Sequence, residues 1–180
     1  YGISVIWERD LGILHKFLVS PASRIALVLG KALSAGARGL SQAVLVYGLA
    51  LLLGIQVRFT MEAIVGVVAL IILGSAVFST LSLAVACLVK TRERFMGIGQ
   101  ILTMPLFFAS NAIYPIVNMP AWLQAIAAVN PLSYMADGLR SLMIVPGVSS
   151  YGLGLDLLVL TGFAVLLILI GGRYYARLVL

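Results

Sequence analysis

Charged residues divide the chain into long apolar runs. Gly39 to Ile55 carries no charge, Ala63 to Val89 is an uncharged stretch of 27 residues, and Phe95 to Ala136 is one of 42. A membrane-crossing helix needs about 20 apolar residues. The pattern therefore predicts four spans, over 31–55, 63–89, 95–113 and 155–172. The run from Phe95 is too long for one span and is interrupted by prolines at 105, 115, 120 and 131. It predicts a spanning helix followed by short apolar segments that dip into the bilayer and return. Such irregular backbone survives at membrane depth only where protein or a water-filled cavity covers it. Pro120 is placed to open a helix over Ala121 to Val129. Asn130-Pro131 should break it, and a second helix should follow from Leu132 to Ile144. Residues 1–7 (YGISVIW) read as the end of a further helix that stops at a charge cluster.

Composition agrees with that class. Hydrophobic residues make up 62% of the chain and charged ones 10%, with a mean hydropathy of +1.14. Soluble domains average about 25% charged residues. The expected fold is all-α and integral to a membrane. The net charge of +6 would suit nucleic acid, but the basic residues stand at the ends of apolar runs, where they suit anionic lipid headgroups. Nine of them (Arg9, Lys16, Arg24, Lys31, Lys90, Arg92, Arg94, Arg173 and Arg177) fall on one predicted side, against Arg58 and Arg140 on the other. The positive-inside bias makes the first side cytoplasmic, with the C-terminus there and 114–154 outside. One cysteine, Cys87, excludes an internal disulfide and reads as a packed thiol.

Three groups of residues draw attention. Within 8–30, Leu11, Leu14, Phe17 and Leu18 recur at helical spacing while Arg9, Asp10 and Lys16 lie off that stripe, and Pro21 breaks the segment. This is an amphipathic cytoplasmic helix, either lying on the membrane surface or docking a partner. In the outer region, Asp137 and Arg140 are three apart on one helix, so a local ion pair is expected, structural or involved in gating. Inside the spans, Arg38 either snorkels to the cytoplasmic surface or lines a cavity. Pro105 should kink its span, Ser75 and Ser79 form a small-xxx-small pair, and Asp156 stands at the start of the last span.

No phosphate-binding G-x-x-x-x-G-K-[ST] loop is present, because Gly30-Lys31 has Ile25 where the first glycine belongs and Ala32 after the lysine. The single histidine, His15, leaves no triad or multi-histidine metal site in the bilayer. No catalytic residue, metal or cofactor is expected.

The order E-R-x-x-G (Glu8 to Gly12), then Pro21, Gly30-Lys31, F-x-x-x-x-Q from Phe95, M-P-L-F-F-x-S-x-A-I-Y-P from Met104, N-x-P-x-W-L-Q from Asn118 and N-P-L-S-Y-x-x-D-x-L-R from Asn130 resembles the permease subunits of type 2 ABC exporters, the group with daunorubicin-type drug-efflux and polysaccharide-export permeases. Pro105 to Arg140 is the most specific part. The resemblance implies six spans per permease, of which this chain carries the last four and the stub of the second. It implies a separate ATP-binding subunit, a second permease and a plasma-membrane location. Glu8, Arg9, Gly12, Lys16 and Pro21 would form the coupling helix that docks the ATPase. Arg38, Pro105, Asn130, Pro131, Asp137 and Arg140 become translocation or gating candidates, the last four on extracellular re-entrant helices. The cargo would be a hydrophobic or amphipathic compound or a lipid-linked glycan. A non-transporting scaffold or regulatory subunit, and an ion-coupled secondary transporter, stand as alternatives.

Overall fold

A computed structural model describes residues 2–13, 23–89 and 91–174. Within these residues the chain forms seven α-helices and no strand beyond one isolated bridge. They are α1 (Gly2–Asp10), α2 (Arg24–Leu52), α3 (Met61–Leu88), α4 (Arg92–Phe108), α5 (Ala121–Val129), α6 (Pro131–Met143) and α7 (Leu153–Tyr174). A 3-10 turn, Ile116–Asn118, precedes α5. Three of these helices are long and apolar enough to cross a membrane: α2, α3 and α7. α4 has 17 residues, about 26 Å at 1.5 Å per residue.

Local chemistry fixes most helix starts. Ser23, Thr60 and Thr91 hold extended backbone and accept N–H bonds from Ala26, Ala63 and Arg94. The Ser23 cap places the start of α2 seven residues before Lys31, where the first span was expected to begin. α1 runs straight through the Glu8–Asp10 cluster instead of ending at Trp7, because nothing between them breaks a helix. The chain turns only at Gly12, whose φ of +70° belongs to the left-handed region.

α3 is the central helix. It packs against α1, α2, α4, α6 and α7. Leu70 and Val77 of α3 meet Ala32 of α2, Tyr134 of α6, and Leu160 and Ala164 of α7 in the larger core. A smaller core joins Val5, Val28 and Leu83. The helices approach closely where side chains are small. A Cβ on Gly39 would lie 3.0 Å from Ser75 Oγ, so the α2–α3 crossing uses the serine of the small-xxx-small pair. Elsewhere α2 turns Val44, Leu45, Leu49 and Leu52 outward, which in lipid carries no hydrophobic penalty.

α4 is held differently. None of its residues is buried. At the far end of the bundle, Val57 in the α2–α3 connection pairs with Ile144 after α6, with Arg58 N donating to Met143 O at 2.9 Å and Val145 N to Gln56 O at 3.1 Å.

Candidate functional site

The sequence-predicted residues gather at the two ends of the bundle. At the end where α2 begins, the charged residues of α1 reach two other helices. Both carboxylate oxygens of Glu8 accept from Lys31 Nζ of α2, at 2.9 and 2.8 Å. Asp10 Oδ2 accepts from Nε and a terminal nitrogen of Arg92 at 3.2 and 2.9 Å, a two-pronged bond to the first residue of α4. Arg9 donates to Asp10 Oδ1 and, at 3.5 Å, to the Val89 carbonyl. Arg92 also lies over the Trp7 ring, 3.8 Å from its centroid. Desolvation is the largest single effect on the Asp10 carboxyl and raises it, but hydrogen bonds from Arg92 and Arg9 and their charges together outweigh it and hold it below its ordinary value. Glu8, Arg9 and Gly12 therefore sit at a three-helix joint, with Gly12 in the turn that leaves it. Lys16 and Pro21, and most of the predicted amphipathic stripe, lie outside the described residues.

At the opposite end, buried amides organise the break between α5 and α6. Asn130 is 3% exposed. Its Nδ2 donates to the Leu106 and Ala109 carbonyls at the end of α4, at 2.7 and 3.1 Å, while its Oδ1 accepts from Leu132 N at the start of α6. One side chain thus closes one helix and opens another. Pro131, the first residue of α6, needs no donor there, and its φ suits a helix start.

Asp137 and Arg140 do not form the expected ion pair. Helical spacing puts them on one face, but Asn111 stands between them. Asn111 Nδ2 donates to Asp137 Oδ1 at 2.8 Å, and Arg140 donates to Asn111 Oδ1 at 3.0 Å and to its carbonyl at 2.7 Å. Asp137 turns its other oxygen to Ser149 Oγ and to the backbone N–H groups of Ser150 and Tyr151. A primary amide offers a donor and an acceptor together, so it satisfies both charges without bringing them into contact.

The two remaining candidates are Arg38 and Pro105. Arg38 is exposed at the rim of a depression of about 310 Å³ lined by Gln42, Ser75, Ser79 and Ser82. Pro105 lies within α4, and its carbonyl accepts from Ala109 N at 2.8 Å as the helix ends.

Sequence reasoning missed Asn111, Asp10, Arg92 and Trp7 as site residues. An asparagine in a 42-residue uncharged run was the available signal for the first, since a buried amide demands partners. The Asp10–Arg92 pairing spans 82 positions and has no local signature.

Comparison with known proteins gives this arrangement a family. Residues 1–144 match the ABC-2 type transporter family. The chain belongs to it. Relatives in the family include a putative transport permease, ycf38, of Cyanophora paradoxa, 30% identical over 142 residues that make up 78% of this chain and 49% of that protein. The daunorubicin resistance ABC transporter permease protein DrrB1 of Streptomyces coeruleorubidus is 29% identical over 142 residues, 79% of this chain and 50% of that one. The probable multidrug ABC transporter permease YbhR of Escherichia coli K12 is 29% identical over 137 residues, 76% and 36% respectively. The chain spans about half or less of the length of each of these relatives. No solved structure matches it. Family membership and three apolar helices of spanning length make it a multi-pass membrane protein of the ABC permease type.

Proposed function

We propose that this chain is the membrane permease part of an ATP-driven exporter, working as a dimer with a second permease and with ATP hydrolysis on a separate subunit. The observation that carries this reading is the joint at the end of α1, where Lys31 grips Glu8 and Arg92 grips Asp10. A partner pushing on the segment after Gly12 would move α2 and α4 through charge-assisted bonds. The nine basic residues on that side support placing it, with the C-terminus, in the cytoplasm of a plasma-membrane protein.

In this reading α4 is a fourth spanning helix, and α5 and α6 are re-entrant helices on the outer face. Glu8, Arg9, Gly12, Lys16 and Pro21 receive the ATPase. Asn130, Pro131, Asp137 and Arg140 hold the outer gate, with Pro105 and Arg38 along the path. Nucleotide-driven motion of the coupling segment rocks the attached helices and shifts the permease between states that contact cargo differently. The predominantly apolar helices suit a hydrophobic or amphipathic cargo, a lipid-linked glycan included.

The test is to co-express the complete protein with its neighbouring ATPase and measure ATP hydrolysis in lipid for wild type, Glu8→Ala and Gly12→Pro. Assembly with a regulated ATPase, and uncoupling in both variants, is the expected result. An ATPase that fails to associate, or variants that behave as wild type, would remove the mechanical basis of the reading.

A further inference from the structure

Two acidic side chains are fully buried where α6 packs on the first turn of α7, and they are treated in opposite ways. Asp137 is saturated: Oδ1 accepts one hydrogen bond, from Asn111, and Oδ2 accepts three, from Ser149 Oγ and the Ser150 and Tyr151 amides. A carboxylate offers about four such positions. Asp156 is 0% exposed, and neither of its oxygens has a partner. Its Oδ2 rests on Gly138, the residue after Asp137, so close that a Cβ there would stand 3.3 Å from it.

Among the described residues no positive charge answers Asp156, and it enters no ion pair. Arg140, on the same helix as Asp137, spends both terminal nitrogens on Asn111. The other charged groups at this end are Arg58, before α3, and Glu62 in the exposed first turn of α3. Tyr134 and Tyr151 stack nearby with centroids 4.7 Å apart, and the Tyr134 hydroxyl is used on the Ala128 carbonyl. The amino end of α7 favours an anion, yet Asp156 accepts no N–H from it.

A buried carboxylate with no partner, beside a second carboxylate, is far costlier than a buried neutral acid. The site lacks one positive charge. An alkaline-earth ion takes about six to eight oxygen ligands, and those of Asp137 are already engaged. A proton needs one oxygen. We propose that Asp156 is a proton-binding site, held as the neutral acid while α6 is packed on α7. Proton uptake and closure of this contact are then linked. Parting Gly138 from Asp156 admits water and releases the proton, and deprotonation favours the parted state. This inference stands on the buried junction alone and does not rest on the export reading.

Infrared spectroscopy of the full chain in lipid nanodiscs, stepped from mildly acidic to strongly alkaline pH, tests it. Wild type should show a protonated-carboxyl C=O band at neutral pH that disappears at high pH. Asp156→Asn, which copies the shape of the neutral acid, should lack the band, and Asp156→Glu should shift it. The wild-type titration needs no variant to fold. The proposal is overturned by a wild type without the band at neutral pH. It is equally overturned by a band that survives in Asp156→Asn, or by one that Na⁺ or K⁺ removes at constant pH, which would mark a cation site.

Discussion

Arg92 lies over the indole of Trp7, its guanidinium 3.8 Å from the ring centroid, while the same group bonds Asp10. One residue at the start of α4 is thus fastened to α1 by a flat face and a charged edge. Only a planar, forked cation does both.

Arg92→Lys should therefore behave as a loss. The lysine keeps the charge but gives up the fork and the stacking, worth about 0.5–1 kcal/mol at an exposed site. Stability should barely change, whereas communication between the coupling segment and α4 should weaken. On the proposed export reading, ATPase activity of the assembled transporter should fall several-fold in Arg92→Lys and further in Arg92→Ala. The melting temperature of the purified permease should move little in Arg92→Lys, which keeps the charge opposite Asp10.

The same joint has a pH signature. Desolvation, the largest single effect on Asp10, raises its carboxyl, but the hydrogen bonds and charges of Arg92 and Arg9 together outweigh it and hold the group below its ordinary value of 3.8. A depressed carboxyl contributes stability that is present above its unfolded value and lost as pH falls through the folded one. Asp10→Asn should thus narrow its stability difference from wild type as pH drops below about 4. Melting curves from neutral to strongly acidic pH would show this. A difference that stays constant over the range contradicts the assignment.

Asn130 should be among the most sensitive positions in the chain. Asn130→Ala removes the cap of α6, worth about 1 kcal/mol, and strips a partner from two carbonyls at the end of α4, at about 1–3 kcal/mol for a buried polar group. A loss of about 3 kcal/mol is expected. Thermal unfolding followed by size-exclusion in detergent measures it. Asn130→Asp keeps the cap but cannot donate to the Leu106 and Ala109 carbonyls, and should recover only part of the loss.

Asn111 and Arg140 should be strongly coupled. Asn111→Ala takes the Oδ1 acceptor from Arg140, leaving it only the backbone carbonyl of residue 111, and takes one donor from Asp137. Either single change, Asn111→Ala or Arg140→Ala, should destabilise by about 2–4 kcal/mol. The double variant should cost clearly less than the sum, with a coupling of about 1–3 kcal/mol in a double-mutant cycle. Additive losses would mean that the bridge carries no energy of its own.

The sequence foretold much of the fold where local rules govern. Pro120 and Asn130-Pro131 bracket α5 as expected, because a proline's missing donor and fixed φ act on immediate neighbours. The uncharged run 63–89 lies almost wholly in α3 and 39–55 largely in α2, whereas the proline-interrupted run from Phe95 is divided among α4, the 3-10 turn, α5 and α6. The site was less legible because its decisive contacts join distant positions. Asn111 meets Asp137 across 26 residues, and Arg92 meets Asp10 across 82. Helical spacing pointed to an Asp137–Arg140 pair and had no means of knowing that a third side chain would occupy the gap. Burial of the Asp156 carboxylate likewise depends on how α6 lies against α7, which no periodicity specifies.

α4 gains a mechanical meaning from how little of it is buried. Its first residue, Arg92, is fastened to Asp10 and Trp7, its last turn is fastened by Asn130, and none of its 17 residues is buried. A stiff member clamped at both extremities and loosely seated along its length behaves as a connecting rod. On the proposed export reading, an axial thrust delivered to one clamp would arrive at the other without being absorbed by intervening packing. α6 begins at the very side chain that forms the second clamp, so on the proposed export reading Asp10 and Leu132 are the two terminals of one linkage.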